Sequence, residues 1–340
     1  MLKLDHVVYF MAAAILVAVP VAGSAASYIK FDFPGATITE AFGVNDHKWI
    51  AGSFCKDGDQ GSTCSAPGFS PSHGYIAKLK KSGLTFVEIN FPGAFETEAT
   101  SINNRGLVVG LYDAVHGAVG VDVGHAYYCQ YPCKKASSFH SYDYPGTAGT
   151  GSTDFYAVNN RGKIAGNYAL TSVAPIVDHG FMLDRKGRTC TIDVPGAGAS
   201  DTNTLGLSDE NDVVGSYSDE ATGRVRAYIL MEAEIVTNGA PCKGTYITFD
   251  YPIAGVLQTE ASGINEDGVV VGNYLDSAQV SHAFRRSPDG TFTTIDVPQA
   301  APSDNAASSI NEDNVIVGNF TEIPSNKERA FVRLVHQEHD

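Results

Sequence analysis

The chain has 340 residues, a formal net charge of -15 and 18% charged residues, fewer than the roughly 25% that is typical of soluble proteins. This acidic balance argues against nucleic acid and anionic membranes as partners. It is compatible with a cationic ligand or with solubility alone, and the length is ample for one large core.

The first residues have the pattern of an export signal. Lys3 precedes an apolar run from Val7 to Ala22, and small residues follow at positions 23–26. This predicts a cleaved signal peptide over residues 1–26. The alternative is an uncleaved membrane anchor, for which the run is short. We expect no membrane span after signal removal, because no second apolar run is long enough to cross a bilayer.

A hairpin motif organises the rest of the chain and recurs six times. The copies are EAFGVNDHKWIAGSF from Glu40, EATSINNRGLVVGLY from Glu98, DFYAVNNRGKIAGNY from Asp154, NTLGLSDENDVVGSY from Asn203, EASGINEDGVVVGNY from Glu260 and AASSINEDNVIVGNF from Ala306. Each copy predicts a strand, a tight turn and a second strand that ends in an aromatic residue. The last turn residue is Gly in three copies, Asn in two and Lys48 in one. Because Gly and Asn tolerate positive φ, we expect a left-handed residue there.

Two further strands follow each hairpin. The third strand opens with a basic residue, a small residue and an aromatic one, as in His282-Ala283-Phe284. The fourth ends in Asp or Asn, an apolar residue and Pro, and its first occurrence, FDFPGA from Phe31, lies before the first hairpin. The chain therefore begins with a fourth strand and ends with a third strand.

Units of four antiparallel strands and about 46 to 58 residues cannot bury both faces alone, so they must stack, and radial stacking gives a β-propeller. We predict an all-β, six-bladed β-propeller of four-stranded antiparallel blades over residues 27–335, followed by a short tail at 336–340. Residues 28–34 are expected to pair beside residues 329–334 and so close the ring. An open solenoid is the competing fold, but it would need capping ends that neither terminus supplies.

The motif IN-x-x-G-x-x-VG-x-Y followed by HAF, which stands at His282–Phe284, resembles the HAF-type repeats of secreted bacterial proteins. The resemblance covers residues 28–334. It implies a bacterial protein that is secreted or periplasmic, with a repeated β-structure, and it implies no activity. The fourth and sixth copies depart from it with Arg in place of His, and the first has Lys48 in place of Gly.

Six cysteines in an exported protein form an even set suited to disulfides. We pair Cys55 with Cys64 and Cys129 with Cys133, each with its neighbour, which leaves Cys190 with Cys242 by elimination. The spacing does not resemble a tetrahedral zinc site.

The basic residue that opens the third strand is expected to meet the Asp that ends the fourth, because both lie at one edge of an antiparallel blade. The expected structural pairs are His125 with Asp143, His179 with Asp193, Arg226 with Asp250, His282 with Asp296, Arg329 with Asp32, and His73 with the neutral Asn90. A shared metal site is not expected, since equivalent residues of different blades lie too far apart and Arg does not ligate metals.

The start of the first strand supplies a second ring. It holds the carboxylates Glu40, Glu98, Asp154 and Glu260, with Asn203 and Ala306 in the other two copies. Innermost strands line a propeller channel, so these four residues are the candidate ligand-binding site and would suit Ca²⁺, the one cofactor considered. The alternative is that each carboxylate follows a threonine in a solvated turn.

No nucleophile elbow, Walker loop, zinc-protease motif or dinucleotide fingerprint is present in the sequence. We therefore expect a monomeric binding or interaction scaffold for an unknown extracellular ligand or protein, with contacts through the loop-bearing face and the channel mouth. The alternatives are a propeller hydrolase or lyase that acts on carbohydrate or peptide through the channel-mouth carboxylates, and a surface-layer component with an apolar outer edge.

Overall fold

A computed structural model describes residues 26–58, 64, 72–113, 124–173, 176–195, 201–295, 297–298 and 300–335, without the side chains of 302–304. The predicted signal peptide up to residue 25, the tail at 336–340 and Asp296 lie outside the described residues.

The described chain is built from strands that follow the repeat, preceded by β1 (Ser27–Phe31). We number the repeat units by their hairpins. Units one and two contain β2 (Ile38–Val44), β3 (Trp49–Cys55), β4 (His73–Lys80), β5 (Gly83–Ile89), β6 (Glu96–Ile102), β7 (Leu107–Asp113), β8 (Gly124–Gln130) and β9 (Phe139–Tyr142), with a 3-10 turn at Ala136–Ser138 before β9. Units three and four contain β10 (Ser152–Val158), β11 (Ile164–Ala169), β12 (His179–Leu183), β13 (Thr189–Ile192), β14 (Thr202–Leu207), β15 (Val213–Asp219), β16 (Arg224–Glu234), β17 (Ala240–Pro241) and β18 (Lys243–Phe249). Units five and six contain β19 (Gln258–Ile264), β20 (Val270–Leu275), β21 (Ser281–Arg286), β22 (Phe292–Ile295), β23 (Ala300–Ile310), β24 (Ile316–Glu322) and β25 (Lys327–Leu334).

The hairpin turns have the backbone that the sequence predicts. The last turn residue has positive φ in every copy, at 57° for Lys48, 71° for Asn211 and 58° for Asn314, and at 72° to 77° for the three glycines. Gly and Asn reach this region at low cost. Lys48 is therefore the one turn residue whose side chain is poorly suited to its backbone.

The strands form an all-β propeller of antiparallel sheets. Hydrogen bonding divides the described strands into five sheets, so the expectation of six separate four-stranded sheets is wrong. Three sheets have four strands, β2 to β5, β6 to β9, and β23, β24, β25 and β1. The sheet of unit three gains β17 as a fifth strand, and units four and five share an eight-stranded sheet. They are joined because Val225 in β16 pairs in parallel with Gln258 in β19.

The two ends of the described chain meet in one sheet. β1 pairs antiparallel with β25, from Ser27 opposite Leu334 to Phe31 opposite Ala330. Just beyond β1, Asp32 accepts a hydrogen bond from Arg329 Nε and forms ion pairs with Arg329 and Lys327. The pairing of β1 with β25 is therefore the ring closure that the order of strands predicts for residues 28–34 and 329–334.

The core lies between neighbouring units and is rich in aromatic rings. The aromatic residue that follows the basic-small pair of each third strand is fully buried. These residues are Tyr75, Tyr127, Phe181, Tyr228, Phe284 and Phe331. Each strand of this kind lies within its own sheet and carries side chains that pack against the next unit, so the stacking of units removes apolar surface from water.

The three predicted disulfides are confirmed: Cys55 with Cys64, Cys129 with Cys133, and Cys190 with Cys242. The third bond joins different units. It attaches the extension of unit four, which carries β17, to the outer strand β13 of unit three, beside the parallel pairing of Cys190 with Ala240. Within the described part of the chain, no helix is long and apolar enough to cross a membrane.

We predict that Lys48→Gly stabilises the protein by about 1 kcal/mol, because a left-handed backbone costs a side-chain-bearing residue roughly 1–2 kcal/mol. The free energy of unfolding in urea measures the effect. Lys48→Ala is the control, because it keeps the strained backbone and removes the exposed ion pair with Asp313 at 3.6 Å, which contributes little. A gain in the alanine variant equal to that in the glycine variant would contradict the explanation.

Candidate functional site: the carboxylate mouth

The innermost strand of each unit, β2, β6, β10, β14, β19 and β23, lines a central channel. Phe42, Tyr156, Leu205, Ser262 and Ser308, which occupy equivalent positions of the repeat, line cavities at both of its ends. The ring at the start of these strands, Glu40, Glu98, Asp154, Asn203, Glu260 and Ala306, is called the carboxylate mouth. The ring at their far end, Asp46, Asn104, Asn160, Asp209, Glu266 and Glu312, is called the turn rim.

A glycine in each second strand fixes the backbone of the carboxylate mouth. An added Cβ at these positions would lie only 1.8 to 2.0 Å from the carbonyl oxygen of the mouth residue of the same unit. The glycines are Gly52, Gly110, Gly166, Gly215, Gly272 and Gly318. The register of each hairpin shifts directly after this contact, for example between Ala41 and Gly43. A bulge of this kind re-aims the side chains beside it.

The threonines before the mouth carboxylates are not in solvated turns, so that alternative explanation of the carboxylates is wrong. Thr39, Thr97, Thr153 and Thr259 lie within strands and are at most 2% exposed. Each hydroxyl oxygen accepts a hydrogen bond from the backbone N–H of the residue directly after the Asp or Asn that ends a fourth strand, as Thr39 does from Phe33 at 3.0 Å. They lock the end of the fourth strand onto the first strand of the next unit.

Two of the four carboxylates have hydrogen bonds from their own second strand. Ser53 Oγ donates to Glu40 Oε2 at 3.1 Å, and Asn273 Nδ2 donates to Glu260 Oε2 at 3.3 Å. In unit four the equivalent position is an amide, and Asn167 Nδ2 of unit three donates to Asn203 Oδ1 at 3.0 Å.

Glu98 and Asp154 are held in the least favourable surroundings for a negative charge. Burial raises the pKa of Glu98 well above its usual range, and the charges of Glu40, Glu96, Asp154 and Asp113 raise it further. Burial also raises the pKa of Asp154 to about 7, with added repulsion from Asp113 and Asp178. Units one to three therefore gather acidic groups on one side of the mouth, whereas Glu260 does not contribute to either shift.

A cavity of about 210 Å³ opens beside this acidic side. Of the four acidic residues of the carboxylate mouth, Glu98 is the one that lines the described wall of this cavity. Phe42 and Tyr156 add aromatic surface, and Leu205 adds an aliphatic side chain. None of the described residues of the wall is Lys, Arg or His. Burial raises the pKa of the Tyr156 hydroxyl, as do the charges of Asp154 and Glu98, so it stays a hydrogen-bond donor.

The four carboxylates do not form a preassembled metal site. In the part of the chain that the structure describes, no group of three or more His, Cys, Asp or Glu side chains is placed to hold an ion. The calcium site therefore stays a prediction from the sequence.

The basic residues that open the third strands lie away from the channel, and most of them meet the expected partner. The contacts are His125 Nδ1 to Asp143 at 2.6 Å, His179 Nδ1 to Asp193 at 2.9 Å, Arg226 Nε to Asp250 at 3.1 Å, Arg329 Nε to Asp32 at 3.2 Å and His73 Nδ1 to Asn90 at 3.0 Å. His282 instead lies 3.4 Å from Asp276, and its expected partner Asp296 is outside the described residues. The rings of these histidines stack on the aromatic residue that ends the second strand, as His125 does on Tyr112.

Sequence reasoning missed the turn rim and the role of Tyr156. The rim residue directly follows the Asn or Ser that comes after each first strand, so the dipeptides ND, NN, NN, SD, NE and NE carried the signal. A polar or acidic residue at that position of all six copies is more than a solvated turn requires. Tyr156 stands where the other copies have Phe42, Thr100, Leu205, Ser262 and Ser308, and this variation conceals its position in the channel.

Comparison with known proteins assigns the chain to no family. No family model matches the chain, and no curated protein sequence matches it. Among solved structures, it is similar to a gluconolactonase from Xanthomonas campestris, with a TM-score of 0.42, 9% identity and coverage of 95% of this chain and 99% of that one. It is also similar to the polysaccharide lyase Uly1, with a TM-score of 0.42, 12% identity and coverage of 87% and 77%. A subtype N11 neuraminidase-like protein of a flat-faced bat influenza A virus has a TM-score of 0.36, 8% identity and coverage of 93% and 96%. Likenesses this distant carry no argument about activity.

We predict that the protein loses stability as the pH rises from about 4 to above 7. Asp154 has a folded-state pKa of about 7 against an ordinary value of 3.8, so the folded protein binds a proton that the unfolded chain releases. That contribution is fully present below the ordinary value and is lost as the pH passes the folded value. Urea unfolding of Asp154→Asn should show a shallower decline with pH than the wild-type protein, and an unchanged decline would contradict this assignment.

Proposed function

We propose that the protein is an exported binding scaffold that takes a small cationic ligand at the carboxylate mouth, with the loop-bearing face around it as the contact surface. The observation that carries this proposal is the wall of the cavity of about 210 Å³, which combines the acidic Glu98 with Phe42 and Tyr156 and has no described basic side chain. Carboxylates and aromatic faces both attract cations.

The electrostatics of the mouth support a cationic ligand. Glu98 is buried among the charges of Glu40, Asp154, Glu96 and Asp113, all of one sign. A bound cation would relieve that repulsion and would displace the proton that the raised pKa favours, so we expect its affinity to increase with pH. The cavity suits a primary amine, a guanidinium group or a hydrated metal ion, and is small beside the roughly 300–1,000 Å³ of typical drug-sized pockets.

The identity of the groups at the mouth favours binding over catalysis. The acidic residues with raised pKa, Glu98 and Asp154, occupy equivalent positions of the repeat. A catalytic site would be expected to add several polar residues that break the repeat, and among the described residues of the cavity wall Tyr156 is the clearest of these.

We further infer that the six repeat units act as six blades and that the mature protein works outside the cytoplasm. Units four and five share one sheet only through the pair Val225 and Gln258. Because this link is so short, the hairpins of the two units still occupy separate positions around the channel. Three disulfides support an oxidising compartment, since such bonds persist outside the cytosol. The resemblance to HAF-type repeats implies secretion or export to a bacterial periplasm, and we propose that the protein is a monomer.

A second candidate function is a hydrolase or lyase that acts on carbohydrate or peptide. One observation favours it: burial raises the pKa of Asp154 to about 7, which is the range that suits a general acid or base. Glu98 lies close enough for the two carboxyl groups to repel each other. In that role the pair would divide the tasks of proton donor and acceptor.

The proposal predicts that cations stabilise the folded protein and that Glu98 is needed for this. The mature protein, residues 27–340, is heated with calcium, magnesium, a chelator, putrescine, spermidine, an arginine-rich peptide and a panel of glycans. A ligand present at 100 times its Kd stabilises the folded state by about 2.7 kcal/mol, which is readily seen as a shift in Tm.

Glu98→Gln keeps the shape of the side chain, removes its charge and should abolish the shift. Asp267→Asn is the matched control, because Asp267 is an exposed carboxylate at the opposite end of the channel. Stabilisation by a neutral glycan together with turnover that Asp154→Asn abolishes would favour the enzyme instead. Equal shifts in Glu98→Gln and wild type would contradict a ligand at the carboxylate mouth.

A further inference from the structure

The channel is lined differently on its two sides, because two copies of the repeat carry serine where the others carry larger side chains. The innermost strands contact one another in order around the channel, from β2 to β23, and β23 contacts β2 again. Strands β19 and β23 therefore lie across the channel from β6 and β10. The position two residues after the mouth residue holds Phe42, Thr100, Tyr156 and Leu205 in the first four units, and Ser262 and Ser308 in the last two.

A bulge in each first strand directs this position at the channel. The pairing of the first strand with the second skips one residue of the first strand in every unit, as it skips Ser262 between Ala261 and Gly263. The extra residue of a bulge is left out of the ladder, and its side chain is re-aimed. All six skipped residues line the cavity of about 210 Å³. The residue type at this one position therefore decides the shape of the cavity.

The two serines offer hydroxyl groups to a ligand. Ser262 and Ser308 are half-buried on the wall of the cavity. Within the part of the chain that the structure describes, neither side chain forms a hydrogen bond. Thr100, at the equivalent position of unit two, is different, because its hydroxyl donates to the carbonyl oxygen of Phe155 at 2.6 Å. A serine hydroxyl can donate one hydrogen bond and accept others, so each serine can serve a ligand in both ways.

Two amides on the same side of the cavity add one acceptor and one donor. Asn273 Nδ2 donates to Glu260 Oε2 at 3.3 Å, so its Oδ1 remains to accept from a ligand. Asn319 Oδ1 accepts from the backbone N–H of Ala41 at 2.7 Å, so its Nδ2 remains to donate. Both residues line the cavity, and so does Ala306, the one mouth residue without a polar side chain. This side is therefore polar, uncharged and open.

The cavity thus has two unlike sides that demand different groups of one ligand. Glu98 and Tyr156 provide a carboxylate and an aromatic ring on the side of β6 and β10, and both attract an ammonium group. The serines and amides across the channel suit hydroxyl groups, which donate and accept. An acidic group on the ligand is disfavoured, because no described residue of the wall is basic. A second ammonium group would find no carboxylate there among the described residues of the wall.

We propose that the ligand of the carboxylate mouth is a hydroxylated monoamine built on a single ring, with a hexosamine that has a free amino group as the member to be tested. This inference rests on the proposed cation site and narrows what that site takes. The ammonium group lies beside Glu98, and the hydroxyl groups bind Ser262, Ser308 and the two amides. A volume of about 210 Å³ is below the roughly 300–1,000 Å³ of drug-sized pockets, which favours one ring over a chain of them.

Calorimetric titration of the mature protein, residues 27–340, compares four ligands at neutral pH. Glucosamine carries both the ammonium group and the hydroxyl groups. Cyclohexylamine keeps the ring and the ammonium group without hydroxyls, whereas glucose and N-acetylglucosamine keep the hydroxyls without the charge. Glucosamine should bind at least about tenfold more tightly than each of the other three. Tenfold corresponds to about 1.4 kcal/mol, which one or two hydrogen bonds can supply.

Variants assign the two contributions to the two sides of the cavity. Ser262→Ala combined with Ser308→Ala removes both hydroxyls, so it should weaken glucosamine about tenfold and leave cyclohexylamine unchanged. Glu98→Gln removes the charge and should weaken both amines. Ser137→Ala is the control, because Ser137 is an exposed serine of the 3-10 turn and does not line the cavity; it should change neither affinity.

The outcomes separate this inference from the proposed function. Equal affinity for cyclohexylamine and glucosamine would overturn the preference for hydroxyl groups and leave the cation site in place. Equal affinity for glucose or N-acetylglucosamine and for glucosamine would overturn the inference and contradict a cationic ligand as well. Failure of both amines to bind would contradict the cation site itself. These comparisons use the unaltered protein, so they decide the matter even if a variant does not fold.

Discussion

The pairing of β1 with β25 is the constraint on which the arrangement of the other strands depends. It joins the first described strand to the last in one sheet, with five pairs of residues in register from Ser27 with Leu334 to Phe31 with Ala330. Closing so long a loop costs entropy, but the cost grows only slowly with length. The gain is that β25 is paired on both sides, with β24 and with β1, so that the last strand of the repeat is not left as an edge.

Electrostatics reinforce this closure at the outer rim of the sheet. Asp32 meets both Arg329 and Lys327, and Glu322 lies 3.0 Å from Arg329 and 3.7 Å from Lys30. These groups are partly buried, and a network of charges is worth more than isolated surface pairs. In units two, three and four the corresponding basic residue meets the Asp that ends the fourth strand of its own unit, so the same kind of contact also closes the ring.

A closed ring of repeats brings equivalent side chains together around the channel. When these side chains carry the same charge, their repulsion destabilises the folded protein. Glu40, Glu98 and Asp154 crowd one side of the carboxylate mouth, and Asp46, Asp209, Glu266 and Glu312 crowd the turn rim. Two of these acids are stabilised by amides, because Asn104 donates to Asp46 and Asn160 donates to Asp209. Function is therefore expected where the copies differ, as at Tyr156 on the wall of the cavity.

Much of the fold could be predicted from the sequence because the same hairpin motif occurs six times. The left-handed turn residues, the three disulfides and the pairing of the chain ends all followed from spacing and turn chemistry. The sharing of a sheet by units four and five could not, since it depends on one parallel pair at Val225 and Gln258. The contact of His282 with Asp276 could not be predicted either, because Asp276 belongs to a variable loop outside the repeat pattern, and the pairing of His282 with Asp296 stays a prediction.

The candidate site was predictable only in part, for a physical reason. The sequence identifies four carboxylates at one repeat position, but not that Glu98 and Asp154 are crowded while Ser53 and Asn273 satisfy Glu40 and Glu260. Burial and neighbouring charge depend on how the units are turned relative to one another. A repeat pattern contains no information on that rotation.

Ring closure is tested most directly by removing β1 from the chain and then adding it back as a separate peptide. A protein that starts at residue 36 should unfold at a much lower Tm than the mature chain, and a synthetic peptide of residues 27–35 should restore the Tm. The same peptide with Asp32→Ala should restore less, because it lacks the contacts to Arg329 and Lys327. An unchanged Tm after truncation would contradict ring closure by β1.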